Sequence, residues 1–256
     1  MIDVNVYLHR WPFRRVPGDE PEALVAKLRA AGVTQAWCGS FDALLHRDIA
    51  AVNSRLAAEC RKFGPGLLEP FGAVNPTLPD WQDDIRRCHE THDMRGLRLH
   101  PNYHGYKLDD PRFAELLAAA AARKLLVQIA VSMEDERTQH PLVQVPHVDL
   151  APLVSQLESH RDLRVVVLNA FRGAKVDVVD KLAATRRAWF EIAMKENVAG
   201  VEALVQQVGH ERVLFGSFAP LFIHESAVWK MRESPLGGGQ LEAIQSGNAR
   251  QLIGAA

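Results

Sequence analysis

Runs of strand-forming residues alternate with helix-forming runs eight times along this chain, from Ile2–Tyr7 at one end to Arg212–Phe218 at the other. Such alternation calls for parallel strands joined by right-handed crossovers, because each helix must pack back onto the sheet its flanking strands build. Eight units favour closure, so the expected fold is α/β, a (β/α)8 TIM-type barrel made as a single domain from residues 1–256. An open doubly wound sheet is the other solution. It would normally bring a glycine-rich phosphate turn after the first strand, and Tyr7-Leu8-His9-Arg10-Trp11-Pro12 is nothing like one.

The strands are expected at residues 2–8, 35–39, 68–74, 96–100, 125–131, 164–169, 189–193 and 213–217. Helices are expected near 20–31, 46–62 and 79–92, and another from Asp109-Asp110-Pro111, where an aspartate caps and a proline fits the first turn. In a barrel one face of each strand packs on helices and the other points to the axis, so polar residues at a period of two mark the axial face. By this rule Asp3, Asn5 and Tyr7 face the axis and Ile2, Val4, Val6 and Leu8 face the helices. Arg98 and His100, Gln128 and Ala130, Trp189 and Glu191, and Asn169 join the axial set. Buried charges must be paired, so Arg98 is expected to be neutralised by Asp3 or Glu191.

A formal net charge of -1, with both signs mixed along the chain, gives no nucleic-acid footprint and no polybasic membrane patch. No apolar run approaches the roughly 20 residues of a membrane span. Three cysteines without CxxC spacing suit a reducing compartment, and the chain enters strand-like sequence at once, so a cytoplasmic protein is expected. The expected partner is a small-molecule substrate, with no nucleic acid and no membrane; self-association into a homo-oligomer stays open.

Several segments resemble the amidohydrolase superfamily, in its amidohydrolase-related branch. Gly96-Leu97-Arg98-Leu99-His100-Pro101 is similar to the family's fourth-strand Gly-x-Lys/Arg-Leu-His-Pro, and Gly247-Asn248-Ala249-Arg250-Gln251-Leu252 to its closing Gly-Asn-Ala-x-Arg-Leu. The resemblance implies a metal held by two first-strand histidines, histidines on the fifth and sixth strands and an eighth-strand aspartate. Here those slots hold Asn5 and Tyr7, a residue near Ala130, Asn169 or Ala170, and Phe218 in Gly216-Ser217-Phe218-Ala219-Pro220. Zinc prefers imidazole nitrogen and carboxylate oxygen, and alanine and phenylalanine offer no donor. The expectation is therefore no metal and no cofactor.

Two segments past the fourth and fifth strands are dense in functional groups, and this architecture places sites at that end of the barrel. His100, His104, Glu134 and Asp135 are the candidate catalytic residues, with His100 as base because imidazole titrates near neutrality. Arg137 would anchor a carboxylate through its fork of donors, and Tyr103 or His104 would donate to a developing oxyanion. Asn5, Tyr7, Arg98, Tyr103, Gln128, Arg137, His140, Asn169, Glu191 and Phe218 are the candidate substrate-binding residues. A relocated metal on His100, His104, His140 and Glu134 is an alternative, although Pro101 and Gly105 argue against a helix in that segment. Arg14 and Arg15 read as solvated surface charge, and Trp11, Trp37 and Phe218 as an apolar wall.

The function expected is metal-independent hydrolysis of a small carboxylated or lactone-type compound, or a decarboxylase-like lyase reaction. The competing expectation is a catalytically silent relative that binds a small ligand or a partner chain.

Overall fold

The computed structural model describes residues 1–254. Eight strands run in the order β1 (Ile2–Leu8), β2 (Gln35–Ser40), β3 (Leu68–Gly72), β4 (Gly96–Leu99), β5 (Leu126–Ala130), β6 (Val165–Leu168), β7 (Ala188–Glu191) and β8 (Val213–Leu214), each parallel to its neighbour. Between them lie α1 (Pro21–Ala30), α2 (Ile49–Phe63), α3 (Trp81–Arg86), α4 (Pro101–His104), α5 (Pro111–Ala122), α6 (Leu153–Ser159), α7 (Val176–Ala184) and α8 (Gly200–Val208). After β8 come α9 (His224–Glu233), α10 (Gly238–Glu242) and α11 (Asn248–Gly254). This is the expected single-domain TIM-type barrel.

Closure is made by residues beyond β8. Val4 N donates to Phe215 O at 3.0 Å, Phe218 N to Asn5 O at 2.8 Å and Tyr7 N to Ala219 O at 2.9 Å. The strand expected at 213–217 is thus regular for two residues against β7 and then turns its bonds to β1. The floor is sealed by α11, whose Ala249, Leu252 and Ile253 pack with Ile2, Val4, Trp37, Phe71, Leu126, Val166 and Leu214. Asn248 holds that helix in place, its amide donating to His210 O and Val213 O, both at 2.8 Å.

That floor overturns half of the parity expected for β1. The pairing of β1 with β2 shifts between Asp3 and Val6. Below the shift Ile2 and Val4 sit in the axial layer; above it Val6 and Leu8 pack on Leu24, Val25 and Leu28 of α1. Asp3 consequently leaves the axis for the β8 seam, where Ser217 N and Oγ donate to its two oxygens at 3.0 and 2.5 Å and His224 of α9 lies 3.7 Å away. A one-residue slip exchanges the two faces of a strand, and a pattern of period two cannot announce it.

The slip aims backbone carbonyls inward, and Arg98 uses them. Its Nε donates to Gln128 Oε1 at 2.7 Å, Nη1 to Val6 O at 2.6 Å, and Nη2 to Val4 O at 3.1 Å and Trp37 O at 2.8 Å. None of these partners is a carboxylate, which corrects the expected pairing with Asp3 or Glu191. The guanidinium also lies 4.5 Å from the Tyr7 ring centroid. It is admitted by Gly39, where a Cβ would fall 2.6 Å from Arg98 Cδ and 2.9 Å from Nη1.

Gly39→Ala should therefore push a fully buried cation off its acceptors. Removing one side of a buried charge network costs about 3–5 kcal/mol, so urea unfolding should show a loss of that order. A loss below about 0.5 kcal/mol, the size of a surface change, would mean that the guanidinium can shift freely.

Candidate active site at the barrel mouth

Above Arg98 the barrel closes with two kinds of side chain. One is a polar string. Asn5 Nδ2 donates to Asn169 Oδ1 at 2.8 Å, Asn169 Nδ2 to Ser132 O at 2.9 Å, and the backbone N–H groups of Asn169 and Ala193 donate to the two Glu191 oxygens at 2.6 and 2.5 Å. Burial drives the Glu191 carboxyl up from its ordinary 4.5 to about 7, against the pull of those two N–H donors and Lys230. Gln128 lies apart from the string, accepting from Arg98 and donating to Val4 O at 2.9 Å.

The other kind is aromatic and sulfur-bearing. Tyr7 stacks on Phe41 at 4.6 Å, meets Phe218 edge-on at 5.6 Å and places its hydroxyl 3.0 Å from His100 Nε2 and 3.7 Å from Met133 Sδ. Trp11 meets Phe41 edge-on at 5.3 Å, and Ala130, Ala193 and Met194 fill the remainder. Burial carries the Tyr7 hydroxyl up to about 12 despite Arg98 beside it, so the phenol keeps its proton. Burial also drives His100 well below its ordinary value, helped by His104 and Arg98, so the imidazole is neutral. Its Nδ1 is buried and has no partner.

Backbone geometry marks the same place. His9 after β1, Asn169 after β6 and Phe218 in the segment that follows β8 have φ of 66°, 55° and 60°. The left-handed region is easy for asparagine but strained for phenylalanine.

Of the residues singled out from sequence, Asn5, Tyr7, Arg98, His100, His104, Gln128, Asn169, Glu191 and Phe218 converge here, with Tyr103 and Glu134 at the rim. The segment after β4 does form a helix, contrary to expectation. Pro101 occupies its first turn and Gly105, at φ 71°, ends it. This places the His100 and His104 rings 5.9 Å apart, with His104 Nε2 2.8 Å from Ala43 O. Burial lowers the His104 pKa as well. Asp135, Arg137 and His140 stay outside. Asp135 is paired by Arg137 and Arg172, which hold its carboxyl well below the usual range. Arg137 is 86% exposed, and His140 is an exposed turn residue whose Nδ1 accepts from Leu142 N. Those three lie on a surface loop with no buried contact to draw them inward, so local density of polar groups misplaced them.

The donor set does not fit the family's divalent metal. Asn5 and Asn169 are bonded to each other, Tyr7 is bonded to His100, and Phe218 and Ala130 carry no donor atom. A fixed guanidinium already supplies positive charge beneath them. Among the described residues no three His, Cys, Asp or Glu side chains are grouped to hold an ion, so the relocated site on His100, His104, His140 and Glu134 is not formed. Among the same residues no helix is long and apolar enough to cross a membrane.

Comparison with known proteins agrees with this architecture. The family model described as amidohydrolase matches residues 5–255, and the chain belongs to that family. No curated protein sequence matches significantly. A dihydroxybenzoic acid decarboxylase from Polaromonas sp. JS666, solved with manganese and 2-nitroresorcinol, superposes with a TM-score of 0.76 at 12% identity over 99% of this chain and 96% of that one. A 5-carboxyvanillate decarboxylase from Sphingomonas paucimobilis gives 0.71 at 16% identity over 89% and 81%. A 4-oxalomesaconate hydratase from Rhodopseudomonas palustris gives 0.71 at 14% over 100% and 96%. At such identities the likeness is one of fold.

Glu191 generates a prediction for stability. A carboxyl raised to about 7 in the folded chain holds its proton more tightly there than when unfolded, so its contribution is full below pH 4.5 and lost as pH rises through 7. The loss is on the order of 3 kcal/mol. Asp3, also raised by burial, acts in the same direction. Urea unfolding should give a stability that falls from pH 5 to pH 8, and Glu191→Gln should flatten much of that slope. An unchanged slope in the variant would mean that Glu191 is ionised throughout.

Proposed function

We propose that the chain is a lyase-type member of its family that removes carbon dioxide from a small unsaturated acid at the barrel mouth, without a divalent metal. One observation carries this reading: His100 has Nε2 held by the Tyr7 hydroxyl and Nδ1 buried without a partner. A neutral imidazole has a single N–H. With Tyr7 donating to Nε2, that N–H lies on Nδ1 and is free to serve a ligand.

In the reaction the bond from carbon to the carboxyl group breaks, carbon dioxide leaves, and the electron pair stays on carbon. That carbon takes the Nδ1 proton while the Tyr7 proton moves onto Nε2, so the imidazole remains neutral; once product leaves, solvent returns a proton to Nδ1 and the Nε2 proton passes back to the Tyr7 oxygen. Arg98, 4.5 Å from the Tyr7 ring centroid, steadies the negative charge that passes to the phenolic oxygen. The wall of Tyr7, Trp11, Phe41 and Phe218 suits a planar ligand, and by excluding water it disfavours a solvated carboxylate relative to the state that loses carbon dioxide. The fold relatives named as decarboxylases of dihydroxybenzoic acid and 5-carboxyvanillate support an aromatic acid as the substrate class.

An ester or lactone hydrolase would use the same imidazole to take a proton from water, and the dry wall disfavours it. A silent ligand-binding relative is favoured by a different observation: Tyr7, His100 and Phe218 are fully buried in this conformation.

The test is carbon dioxide release from a panel of hydroxybenzoic acids in the presence of a chelator. Loss of a general acid costs roughly 10²–10⁴ in rate. His100→Ala and Tyr7→Phe should each show a loss in that range with the circular-dichroism spectrum of the folded barrel retained. Undiminished turnover by His100→Ala rejects the mechanism. Binding without turnover of any acid or lactone selects the silent reading, and activity that needs added manganese or zinc rejects metal independence.

A further inference from the structure

The segment between His9 and Asp19 roofs the mouth, and three of its features remain unused by the chemistry above. Trp11 lies in the aromatic wall with its Nε1 buried and without an acceptor. Arg14 reaches across the mouth to form an ion pair with Glu134, which follows β5. The two partners are unequally placed, since Arg14 is 51% exposed whereas Glu134 is 5% exposed. Tyr103, half-buried beside Glu134, keeps its proton because burial and the Glu134 charge both raise it.

Donors cluster along this side of the mouth. Trp11 Nε1–H, Arg14 and the Tyr103 hydroxyl all offer protons, as does His100 Nδ1 in the tautomer proposed above, and Glu134 is the one anionic side chain among them. A carboxylate withdrawn from water is retained only where a cation or donors compensate it. Glu134 meets that condition by lying against Arg14, as an incoming acid of the same charge would.

We propose that Arg14 is the residue that recognises the substrate's carboxylate, and that Glu134 holds the place of that carboxylate while the site is empty. The inference rests on the reading of the mouth as a site for a small acid. It moves the anchoring role from Arg137, which lies outside, to an arginine whose sequence context reads as surface charge. When the acid binds, Glu134 turns out to water and the Trp11 indole gains the acceptor it lacks. Trp11 anchors the roof by packing on Phe41, but its remaining ion pairs, Arg10 to Glu20 and Arg15 to Asp19 and Glu20, lie within the loop and the residue that precedes α1, so Arg14–Glu134 is its one ion pair to the β5 side among the described residues. At its base the His9 ring is fastened 2.6 Å from Ser40 Oγ, so the pivot lies beyond His9.

The experiment measures binding of benzoate and of its uncharged counterpart benzamide to the full chain, by tryptophan fluorescence and calorimetry. A charge-assisted hydrogen bond corresponds to about tenfold or more in affinity. Glu134→Gln should bind benzoate about tenfold more tightly than the wild type, Arg14→Gln about tenfold more weakly, and neither should alter benzamide. Arg14→Lys should recover part of the loss, and adding Arg14→Gln to Glu134→Gln should abolish the gain. Parallel changes in benzoate and benzamide, no change in either, or no preference for benzoate over benzamide in both the wild type and Glu134→Gln would each overturn the proposal. These readouts need no turnover. Undiminished turnover by His100→Ala with the benzoate pattern intact rejects the chemistry and keeps the anchor, and the reverse result rejects the anchor alone.

Discussion

A guanidinium buried at the centre of a barrel, held by carbonyl oxygens and not by a carboxylate, is the constraint around which this protein is arranged. Arginine keeps its charge in any protein environment, so Arg98 must find acceptors wherever it is placed. It finds them because β1 slips register and turns the carbonyls of Val4 and Val6 inward, joined by Trp37 O and Gln128 Oε1. The lack of a side chain at Gly39 makes the room. The Tyr7 ring then lies against the cation, and its hydroxyl fixes one nitrogen of His100. The orientation of the candidate catalytic imidazole is thus a consequence of how one strand satisfies one cation.

The mouth is layered above this hub. A hydrogen-bonded string from Asn5 through Asn169 to Glu191 spans one side, and an aromatic wall closes the other. The string is well satisfied apart from Asn5 Oδ1, while the wall carries the unpartnered His100 Nδ1 and Trp11 Nε1. Buried polar atoms without partners are rare in folded proteins. Two ring nitrogens are thus left without partners on a single aromatic wall. The left-handed backbone at Phe218 adds strain at the same level, as is common where a fold has been bent to a task.

Membership of the amidohydrolase family and the departure from its donor set belong together. Each slot in which the family's pattern places a ligand now holds a residue that either bonds its neighbours or fills space. Arg98 of β4 places a fixed positive charge beneath those slots. A fixed cation beneath a phenol and an imidazole can stabilise charge during proton transfer, although it cannot lower the pKa of a bound water as a metal does.

Fold and hub were largely legible in the sequence, since strand and helix lengths, caps such as Asp110-Pro111, and the alternation in β4, β5 and β7 are local properties written in consecutive residues. The missing metal donors could be read in the same way, from identities at single positions. Three things were decided by tertiary structure alone. The slip in β1, which sends Asp3 to the seam and Val4 to the axis, arises from pairing with β2 and β8, and a period of two carries no record of register. Three of the four acceptors of Arg98 are main-chain atoms, to which the identities of side chains are silent. The roof of Trp11 and Arg14 exists because the β1 loop meets the β5 loop across the mouth, a contact spanning 120 positions along the chain. That distance is why two adjacent arginines that look alike in sequence differ here: Arg15 stays with its own loop, while Arg14 crosses to Glu134.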